Sequence, residues 1–405
     1  MQPKPHRWTA PGAWWICGLL LAGTVLNYLD RQVLSLTAEK IIADFGIDKE
    51  GFGHILSAFR YSYAVTQIAG GWLVDSVGAR AIYPAAVALW SLAGIATAFA
   101  TSFGGLRACR FVLGIGEAFN WPCALKVTER LLPEKDRPLA NGIFNSGTAL
   151  GAMLAPLIVT LLAVRYGWRS AFIATGVLGF VWVVLWLAYT RPFAPKLKSS
   201  TLRAGDALGV MLRILRERNF WALAGSAIIV NSVSYVLADW IPLYLKTERG
   251  FSFAVGNALS VMVYAGLDAG NLISGFYVRR MVACGWTVAG ARNRALLASC
   301  VLMSAAALTG LAPRFAALVC LVLAAIGVAG FLVIYLSLVQ NVDPHHVGAC
   351  SGLLGGLGNL SYGILSPYIG RLADLNQTSI TLLLAGVLPW LALASIRLGF
   401  REERL

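Results

Sequence analysis

Twelve apolar runs, most of them about as long as a bilayer is thick, follow one another along this chain of 405 residues. One helix needs about 20 apolar residues to cross the hydrocarbon core. Only 13% of the residues are charged, against about a quarter in soluble proteins. The sequence therefore predicts an all-α integral membrane protein with twelve transmembrane helices. The runs lie near 14–36, 53–74, 80–100, 105–130, 139–163, 171–190, 220–245, 254–279, 295–312, 315–339, 349–370 and 378–399.

The single long polar connection divides these runs into two sets of six. We predict an N-terminal six-helix bundle over 1–190, a central loop over 191–219 and a C-terminal six-helix bundle over 220–405. The central loop and the alternate short loops carry most of the arginines and lysines, and such loops stay in the cytoplasm. We therefore expect several passes through the lipid bilayer, with both termini in the cytoplasm.

The net charge of +14 does not indicate a nucleic-acid partner, because the basic residues lie in loops between apolar runs rather than on a basic-aromatic surface. Seven cysteines lack CxxC spacing, and the four histidines have no third metal ligand at a useful spacing. Nucleotide-binding and hydrolase motifs are missing too. We expect no metal, no cofactor and no enzymatic activity, and a protein that works as a monomer.

The two halves are weakly similar to each other. When Pro156 of span 5 is aligned with Pro367 of span 11, Thr148 comes opposite Asn359, and Asn145 lies one turn before Thr148. Such repeats place a binding site near the membrane midplane between the halves. Glycine and proline are also common in membrane helices for packing alone, so substrate binding and packing remain alternatives for Thr148 and Asn359.

Charged residues interrupt the apolar runs at a few places. Asp30 and Arg31 end the first run, and Arg110 and Glu117 lie about 10 Å apart on one face of the fourth. Each ionised group at this depth costs roughly 3 kcal/mol. A buried carboxyl whose charge responds to its surroundings is what proton coupling needs. The alternative for Glu117 is a fixed ion pair with Arg31 or Arg110.

Polar residues on other spans are candidates for the same site. Arg60, Tyr63 and Gln67 share one face of span 2. Tyr63 suits a carbohydrate-like ligand, although packing explains it nearly as well. The second half offers mostly neutral groups for hydroxyl hydrogen bonds, namely Asn231, Tyr235, Asp239, Trp240, Asp268, Asn271, Tyr335 and Ser337.

The charges of the first half suggest how proton and anion binding could be linked. Three arginines, Arg31, Arg60 and Arg110, face two carboxylates, Asp30 and Glu117. Protonation of the carboxylates leaves the arginines short of partners, and guanidinium groups bind carboxylates well. If these groups converge, proton uptake and anion uptake favour each other.

Several motifs resemble known transporters. Gly71-x3-Asp75-x2-Gly78-x-Arg80, after span 2, resembles the loop signature of the major facilitator superfamily, and we interpret Asp75 and Arg80 as gating residues. Longer stretches resemble the anion:cation symporters of that superfamily, specifically bacterial hexuronate and galactonate transporters. They are Asn27 to Arg31, Arg110 to Pro122, Gly142 to Gly147 and Ala238 to Leu245.

The resemblance implies roles for individual residues. Arg31 would bind the substrate carboxylate, with Tyr63 lining the pocket. Asp30 and Glu117 would carry protons, and Arg110 would tune them. Asn359 would contribute from span 11, and Asp268 matches the hexuronate type. Thr148, in place of a glutamine, and the additional Arg60 depart from the pattern.

The predicted function is a proton-coupled symporter that imports a small anionic substrate, a hexuronate or aldonate, by alternating access. The resemblance to bacterial transporters implies a location in the bacterial inner membrane. Uptake of another organic anion, such as an aromatic acid, tartrate or phthalate, is the alternative, and sodium coupling stays open. A membrane-embedded enzyme or receptor would need a domain in the central loop, which is too short and basic to hold one.

Overall fold

The structure is a computed structural model that describes residues 11–132, 137–195, 197, 204–339, 341–343 and 347–400. Within these residues the chain forms α-helices and one short 3₁₀ turn, Arg191–Phe193. The α-helices are α1 Pro11–Leu36, α2 Ala38–Phe45, α3 Lys49–Val77, α4 Ala79–Phe99, α5 Phe103–Glu117, α6 Asn120–Leu131, α7 Arg137–Arg165, α8 Trp168–Tyr189, α9 Ala204–Ile214, α10 Arg218–Asp239, α11 Ile241–Thr247, α12 Phe253–Ala283, α13 Val288–Met303, α14 Ala305–Leu308, α15 Arg314–Val339, α16 Val347–Asp374 and α17 Thr378–Gly399.

Among the described residues, seven helices are long and apolar enough to cross a membrane by length and composition alone. Other long helices, including α1, α3 and α16, carry the polar residues of the predicted site. Each predicted run corresponds to one long helix or to two consecutive helices. Lys135, His345, His346 and residues 198–203 of the central loop lie outside the described residues, so the domain boundaries and the cytoplasmic side remain predictions.

The ninth run is interrupted at Ser304, between α13 and α14. Two other runs that we predicted as continuous are also each broken into two helices. The fourth run turns at Ala118 and Phe119, between α5 and α6, and the seventh turns at Trp240, between α10 and α11. A proline follows each break, Pro122 or Pro242, and proline has no N–H for the carbonyl four residues earlier. After α10 that carbonyl, on Ala238, accepts a hydrogen bond from the Tyr264 hydroxyl instead, at 3.2 Å.

Short polar residues and glycine shape the helix connections. Ser102 begins α5, and its hydroxyl accepts a hydrogen bond from the Gly105 N–H at 3.1 Å, which satisfies one of the free amides of the first turn. Gly78, between α3 and α4, has a φ of 100°, in the region that favours glycine. Gly78 is therefore the single residue that connects α3 to α4 in the gating motif.

The buried apolar side chains form two large cores, one for each half of the chain. The first core draws mainly on residues between Ile16 and Leu197, and the second lies between Ile214 and Ile396. Four residues of the second half, Val236, Trp240, Leu243 and Tyr362, pack into the first core. The polar cluster described below lies at this junction.

The two halves pack against each other chiefly through α3 with α16 and α7 with α12. Where α3 begins and α16 ends, the backbones nearly touch, since a Cβ on Gly53 would lie 2.4 Å from the Ser366 carbonyl oxygen. We call this end of the bundle, from Lys49 to Asp374, the closed end. There the Asp374 carboxylate accepts hydrogen bonds from the N–H groups of Lys49 and Glu50, at 3.0 and 2.9 Å.

Candidate substrate site between the two halves

Three arginine side chains surround the ring of Phe59 on α3. The guanidinium carbons of Arg31, Arg60 and Arg110 lie 5.2, 5.4 and 5.1 Å from the ring centroid. Since each lies within 5.4 Å of one point, no two of them are more than about 11 Å apart. The structure therefore brings together the three arginines that the sequence analysis selected.

Arg31 on α1 forms an ion pair with Glu117 at the end of α5. Its Nε and Nη2 both donate to Glu117 Oε2, at 3.1 and 2.8 Å, and Nη2 also reaches Asn27 Oδ1 at 3.5 Å. The Glu117 side chain is fully buried and Arg31 is 12% exposed. Glu117 Oε1 has no hydrogen-bond partner within the described residues. This pair matches the alternative that the sequence left open, a bond between Glu117 and Arg31, and it leaves one oxygen free for a proton.

Asp30 does not pair with its neighbour Arg31. Consecutive residues point about 100° apart around a helix, and Asp30 faces α4 and α8, beside Trp90 and Thr175. Its Oδ1 lies 3.9 Å from the place of a Cβ on Gly94. Asp30 Oδ2 is buried without a hydrogen-bond partner among the described residues. Asp30 and Arg31 therefore form no direct pair in this structure, because the two side chains leave the helix on different faces. The role of Asp30 in carrying a proton stays a prediction.

A second ion pair joins the two halves. Arg60 Nη2 on α3 donates to Asp239 Oδ2 at the end of α10, at 2.9 Å, and the two side chains are only 2% and 3% exposed. Arg60 Nη1 donates to Asn359 Oδ1 on α16 at 3.2 Å. The ring of Tyr235 lies under the guanidinium, 3.7 Å from its carbon. Every partner of Arg60 named here, apart from Phe59, belongs to the second half.

Asp239 is a functional candidate whose charge the sequence analysis did not use. We grouped it with neutral residues suited to hydroxyl groups, and the charge count of three arginines against two carboxylates left it out. Its carboxylate also accepts a hydrogen bond from the Ser35 hydroxyl of α1 at 3.4 Å. The available signal was an acid at the end of an apolar run, the same signal that identified Asp30.

Arg110 is the guanidinium of the cluster without an anionic partner in the described residues. Its side chain is buried, and its Nε and Nη1 make no hydrogen bond there. Phe59 covers one side of the group at 5.1 Å. A buried guanidinium in this condition is costly, so a carboxylate that entered the cluster would gain a partner already in place.

Neutral polar groups border the cluster on the side of α16. Asn359 Nδ2 donates to Gln67 Oε1 on α3 at 3.4 Å and to the Gly355 carbonyl at 3.0 Å. Asn231 on α10 packs against Gly358, the neighbour of Asn359. Tyr63 places its ring 5.1 Å from the Arg31 guanidinium carbon. Tyr63, Tyr235 and Asn359 therefore contact the arginines, and Asn231 lies beside the turn of α16 that carries Asn359. All four are groups that can bond hydroxyls.

Four other predicted site residues show no described contact with the arginines. The hydroxyls of Thr148 and Ser337 donate within their own helices, to the carbonyls of Asn145 and Ile334 at 2.8 and 2.6 Å. The Asn145 side chain is exposed. Asp268 on α12 is partly buried, and its Oδ2 has no hydrogen-bond partner in the described part of the chain. Their roles in substrate binding stay predictions.

Of the predicted gating pair, only one side chain is described. The Asp75 side chain lies outside the described residues. The Arg80 carbonyl accepts a hydrogen bond from the Trp186 indole at 3.4 Å, which attaches the start of α4 to α8. The gating role therefore remains a prediction.

Comparison with protein families decides the class. The model of the Major Facilitator Superfamily matches residues 20–367 of this chain. The chain belongs to that superfamily. It is thus a membrane protein with the all-α fold of twelve helices in two pseudo-symmetric halves that the sequence predicted.

Curated relatives in the superfamily are named as sugar-acid transporters. The hexuronate transporter of Bacillus subtilis (strain 168) is 30% identical over 402 residues, 94% of this chain and 92% of its own length. The galacturonate transporter of Dickeya chrysanthemi is 30% identical over 277 residues, 65% of this chain and 80% of its own length. A probable galactarate/D-glucarate transporter of Escherichia coli (strain K12) is 26% identical and spans 90% of this chain and 89% of its own.

Solved structures agree in fold. A bacterial homolog of the human lysosomal transporter Spinster, in an inward-facing and occupied conformation, superposes with a TM-score of 0.77. The match covers 96% of this chain and 97% of that one at 19% identity. At this identity the likeness supports the architecture and nothing finer.

Proposed function

We propose that this protein is a proton-coupled symporter that imports a sugar acid, a hexuronate or an aldonate, by alternating access. In this proposal it works as a monomer in the bacterial inner membrane, with both termini in the cytoplasm. Its relatives named above support the substrate class. A buried cluster of guanidinium groups at the junction of the two halves supports an anionic substrate, since guanidinium binds carboxylate with two parallel hydrogen bonds.

The Arg31–Glu117 pair is the observation that carries the proposal. While Glu117 is ionised it occupies Arg31, with both donated hydrogen bonds on one oxygen. A proton on Glu117 cancels its charge and frees Arg31 for the substrate carboxylate. Release of that proton on the other side of the membrane restores the pair and expels the substrate. Proton and anion therefore travel in the same direction.

Asp30 supplies a second protonation site in this scheme. A carboxyl oxygen buried without a donor is less costly when protonated than when ionised, and Asp30 Oδ2 is in that condition within the described residues. Arg110, buried beside Phe59, offers the carboxylate a second cation. The hydroxyl groups of the sugar acid would bond Asn359, Gln67 and the tyrosines around the cluster.

The arrangement of the two ends fits alternating access. In the predicted topology the closed end faces the outside, and there helices of both halves contact each other closely. Uptake requires these contacts to separate. Meanwhile Asp75, near the end of α3, and Arg80, near the start of α4, would keep the cytoplasmic side of the bundle closed. A rocking motion of two packed halves around a central site is the usual solution in such repeats.

Uptake into proteoliposomes tests the substrate and the coupling together. An inward proton gradient is imposed and radiolabelled glucuronate, galacturonate, galactonate, tartrate and benzoate are offered separately, with a sodium gradient as a parallel arm. We expect accumulation of at least one sugar acid that collapses with a protonophore. Uptake of tartrate or benzoate alone would contradict the substrate class, and accumulation that depends only on sodium would contradict proton coupling.

Glu117→Gln tests the ion pair that carries the proposal. Glutamine keeps the size of the side chain but takes up no proton, so we expect exchange of internal for external substrate to persist while gradient-driven accumulation falls to the level of empty liposomes. Glu129→Gln is the matched control, because Glu129 is an exposed residue paired with Lys126. Unchanged accumulation in Glu117→Gln would assign Glu117 a purely structural role.

A further inference from the structure

Arg60 carries the third guanidinium around Phe59, and this group already forms an ion pair within the protein. Both its hydrogen bonds described above lead to the second half, to Asp239 at 2.9 Å and Asn359 at 3.2 Å. The pair is almost completely buried. Water therefore screens it little, and a substrate carboxylate that approaches Arg60 has to compete with Asp239 for the guanidinium.

The position of Arg60 would otherwise suit a second carboxylate. The guanidinium carbons of Arg31 and Arg110 lie within about 11 Å of the Arg60 carbon, because all three surround one ring. An aldarate, with one carboxylate at each end of its chain, has the length to bridge such a distance together with its hydrogen bonds. Without Asp239 the cluster would be a two-carboxylate site.

Asp239 offsets one positive charge whatever the protonation of Asp30 and Glu117. An additional carboxylate next to the ionised Asp239 would place two like charges close together in a buried environment, which is unfavourable. A substrate with a hydroxyl or aldehyde at the same end brings no such repulsion, and Asn359 and Tyr235, which already surround Arg60, can bond it.

We propose that Asp239 is a specificity-determining residue, which, by holding Arg60, makes the site favour sugar acids with one carboxylate over those with two. The proposal rests on the sugar-acid transport proposed above and names the substrate class within it. It also accounts for Arg60, which departs from the resemblance found in the sequence.

Competition in proteoliposomes tests this directly. Galacturonate uptake is measured with increasing unlabelled galacturonate or galactarate, and the ratio of the two half-inhibiting concentrations gives the discrimination against the diacid. In Asp239→Asn, which keeps the shape but frees Arg60, we expect this ratio to fall by about tenfold or more, as one charge-assisted hydrogen bond becomes available. Arg60→Gln should raise the ratio, because Asp239 is then an unpaired anion.

Two comparisons make the result specific. The double variant Arg60→Gln/Asp239→Asn should return the ratio to the wild-type value, since neither charge remains. Asp44→Asn, which removes an acid from the protein surface, should leave the ratio unchanged. An altered uptake rate with an unchanged ratio in both Asp239→Asn and Arg60→Gln would overturn the proposal and leave the pair a role in closing the two halves only.

Binding provides a second readout that tolerates a weakened variant. In detergent, galactarate should raise the melting temperature of Asp239→Asn more than galacturonate does, because the diacid supplies the partner that Arg60 has lost. The wild type should show the reverse order. The same order in both proteins would overturn the inference, whereas a wild type that neither binds nor transports any sugar acid would refute the proposed function itself.

Discussion

The two buried ion pairs of the central cluster both join an arginine to a carboxylate, but they differ in which parts of the fold they connect. Arg31–Glu117 joins α1 to α5 within one half, and Arg60–Asp239 joins α3 to α10 across the two halves. The first pair keeps some contact with solvent through Arg31, and the second has almost none. In the proposed rocking motion the first pair can stay intact, whereas the second has to break.

This difference separates two tasks that a transporter has to perform. A pair inside one half can respond to a proton without any change in the shape of the bundle. A pair across the halves is made only when they approach, so it reports and stabilises one arrangement. In the proposed mechanism, Arg31–Glu117 is therefore the proton-sensitive pair and Arg60–Asp239 the conformation-sensitive pair, and the guanidinium carbons of both lie close to the same phenylalanine ring.

The largest expected difference between the pairs is in stability. Asp239→Leu leaves Arg60 buried and unpaired, and we expect the free energy of unfolding to fall by about 3–5 kcal/mol. Glu117→Leu leaves Arg31 with Asn27 and partial access to solvent, so a fall of about 1–3 kcal/mol is expected. Thermal melting in detergent at one heating rate ranks the variants. The double variant Arg60→Leu/Asp239→Leu should recover most of the stability lost in Asp239→Leu. Equal losses of stability in Asp239→Leu and Glu117→Leu would contradict the comparison.

A smaller effect is expected from a change at the closed end itself. A Cβ on Gly53 would lie 2.4 Å from the Ser366 carbonyl oxygen and 2.7 Å from the Pro367 Cα. Gly53→Ala therefore separates α3 from α16, at a cost of about 1–3 kcal/mol, and uptake should slow while the Arg31–Glu117 pair and the proton dependence remain.

Gly18→Ala is the matched control for this variant, because a Cβ on Gly18 meets nothing within 4 Å. The melting temperature and the uptake rate of that control should equal those of the wild type. The effect of Gly53→Ala should also shrink in the Arg60→Leu/Asp239→Leu background, since both changes act on the same contact between the halves. Strict additivity would show that the two contacts are independent.

The smallest effect is expected at an exposed ion pair, which provides a reference for the two buried ones. Asp44 Oδ2, at the end of α2, accepts hydrogen bonds from the Trp168 indole at 2.7 Å and from Arg169 at 2.8 Å. These donors hold the pKa of the Asp44 carboxyl below its usual value. The stability that Asp44 contributes is present above the pKa of the unfolded chain and is lost as the pH falls through the lowered pKa of the folded protein.

Asp44→Asn should therefore lower the melting temperature slightly at neutral pH, and the difference from the wild type should vanish in acid. Both members of the pair are nearly half exposed, so the effect stays small. Melting curves across an acidic pH series provide the measurement. A difference that grows as the pH falls would contradict the assigned direction of the pKa.

The fold was largely predictable because hydropathy reports directly on membrane crossing. The twelve apolar runs correspond to the long helices, and the family match confirms the class. The breaks at Ala118 and Trp240 were not predicted, since apolar composition continues through both. Pro122 and Pro242 were visible signals, but only the structure shows that each lies just after a helix end.

The members of the site were easier to predict than their pairings. Arg31, Arg60, Arg110 and Glu117 were identified because a charge in an apolar run is costly wherever it occurs. Their partners depend on which faces of distant helices meet, and a single sequence does not contain that information. Asp239 shows the limit, since it was noted on its helix but its role required the position of α3 relative to α10.

The separation of the paired residues along the chain has a consequence for biosynthesis. Glu117 follows Arg31 by 86 residues, so the first half carries that pair complete. Asp239 follows Arg60 by 179 residues, on a helix that is translated after the whole first half. Because chains assemble from the N-terminus as they are made, the newly inserted first half holds Arg60 before its counterion has been made. The second half is therefore needed to neutralise the first, and the two halves expressed as separate polypeptides should associate in the membrane.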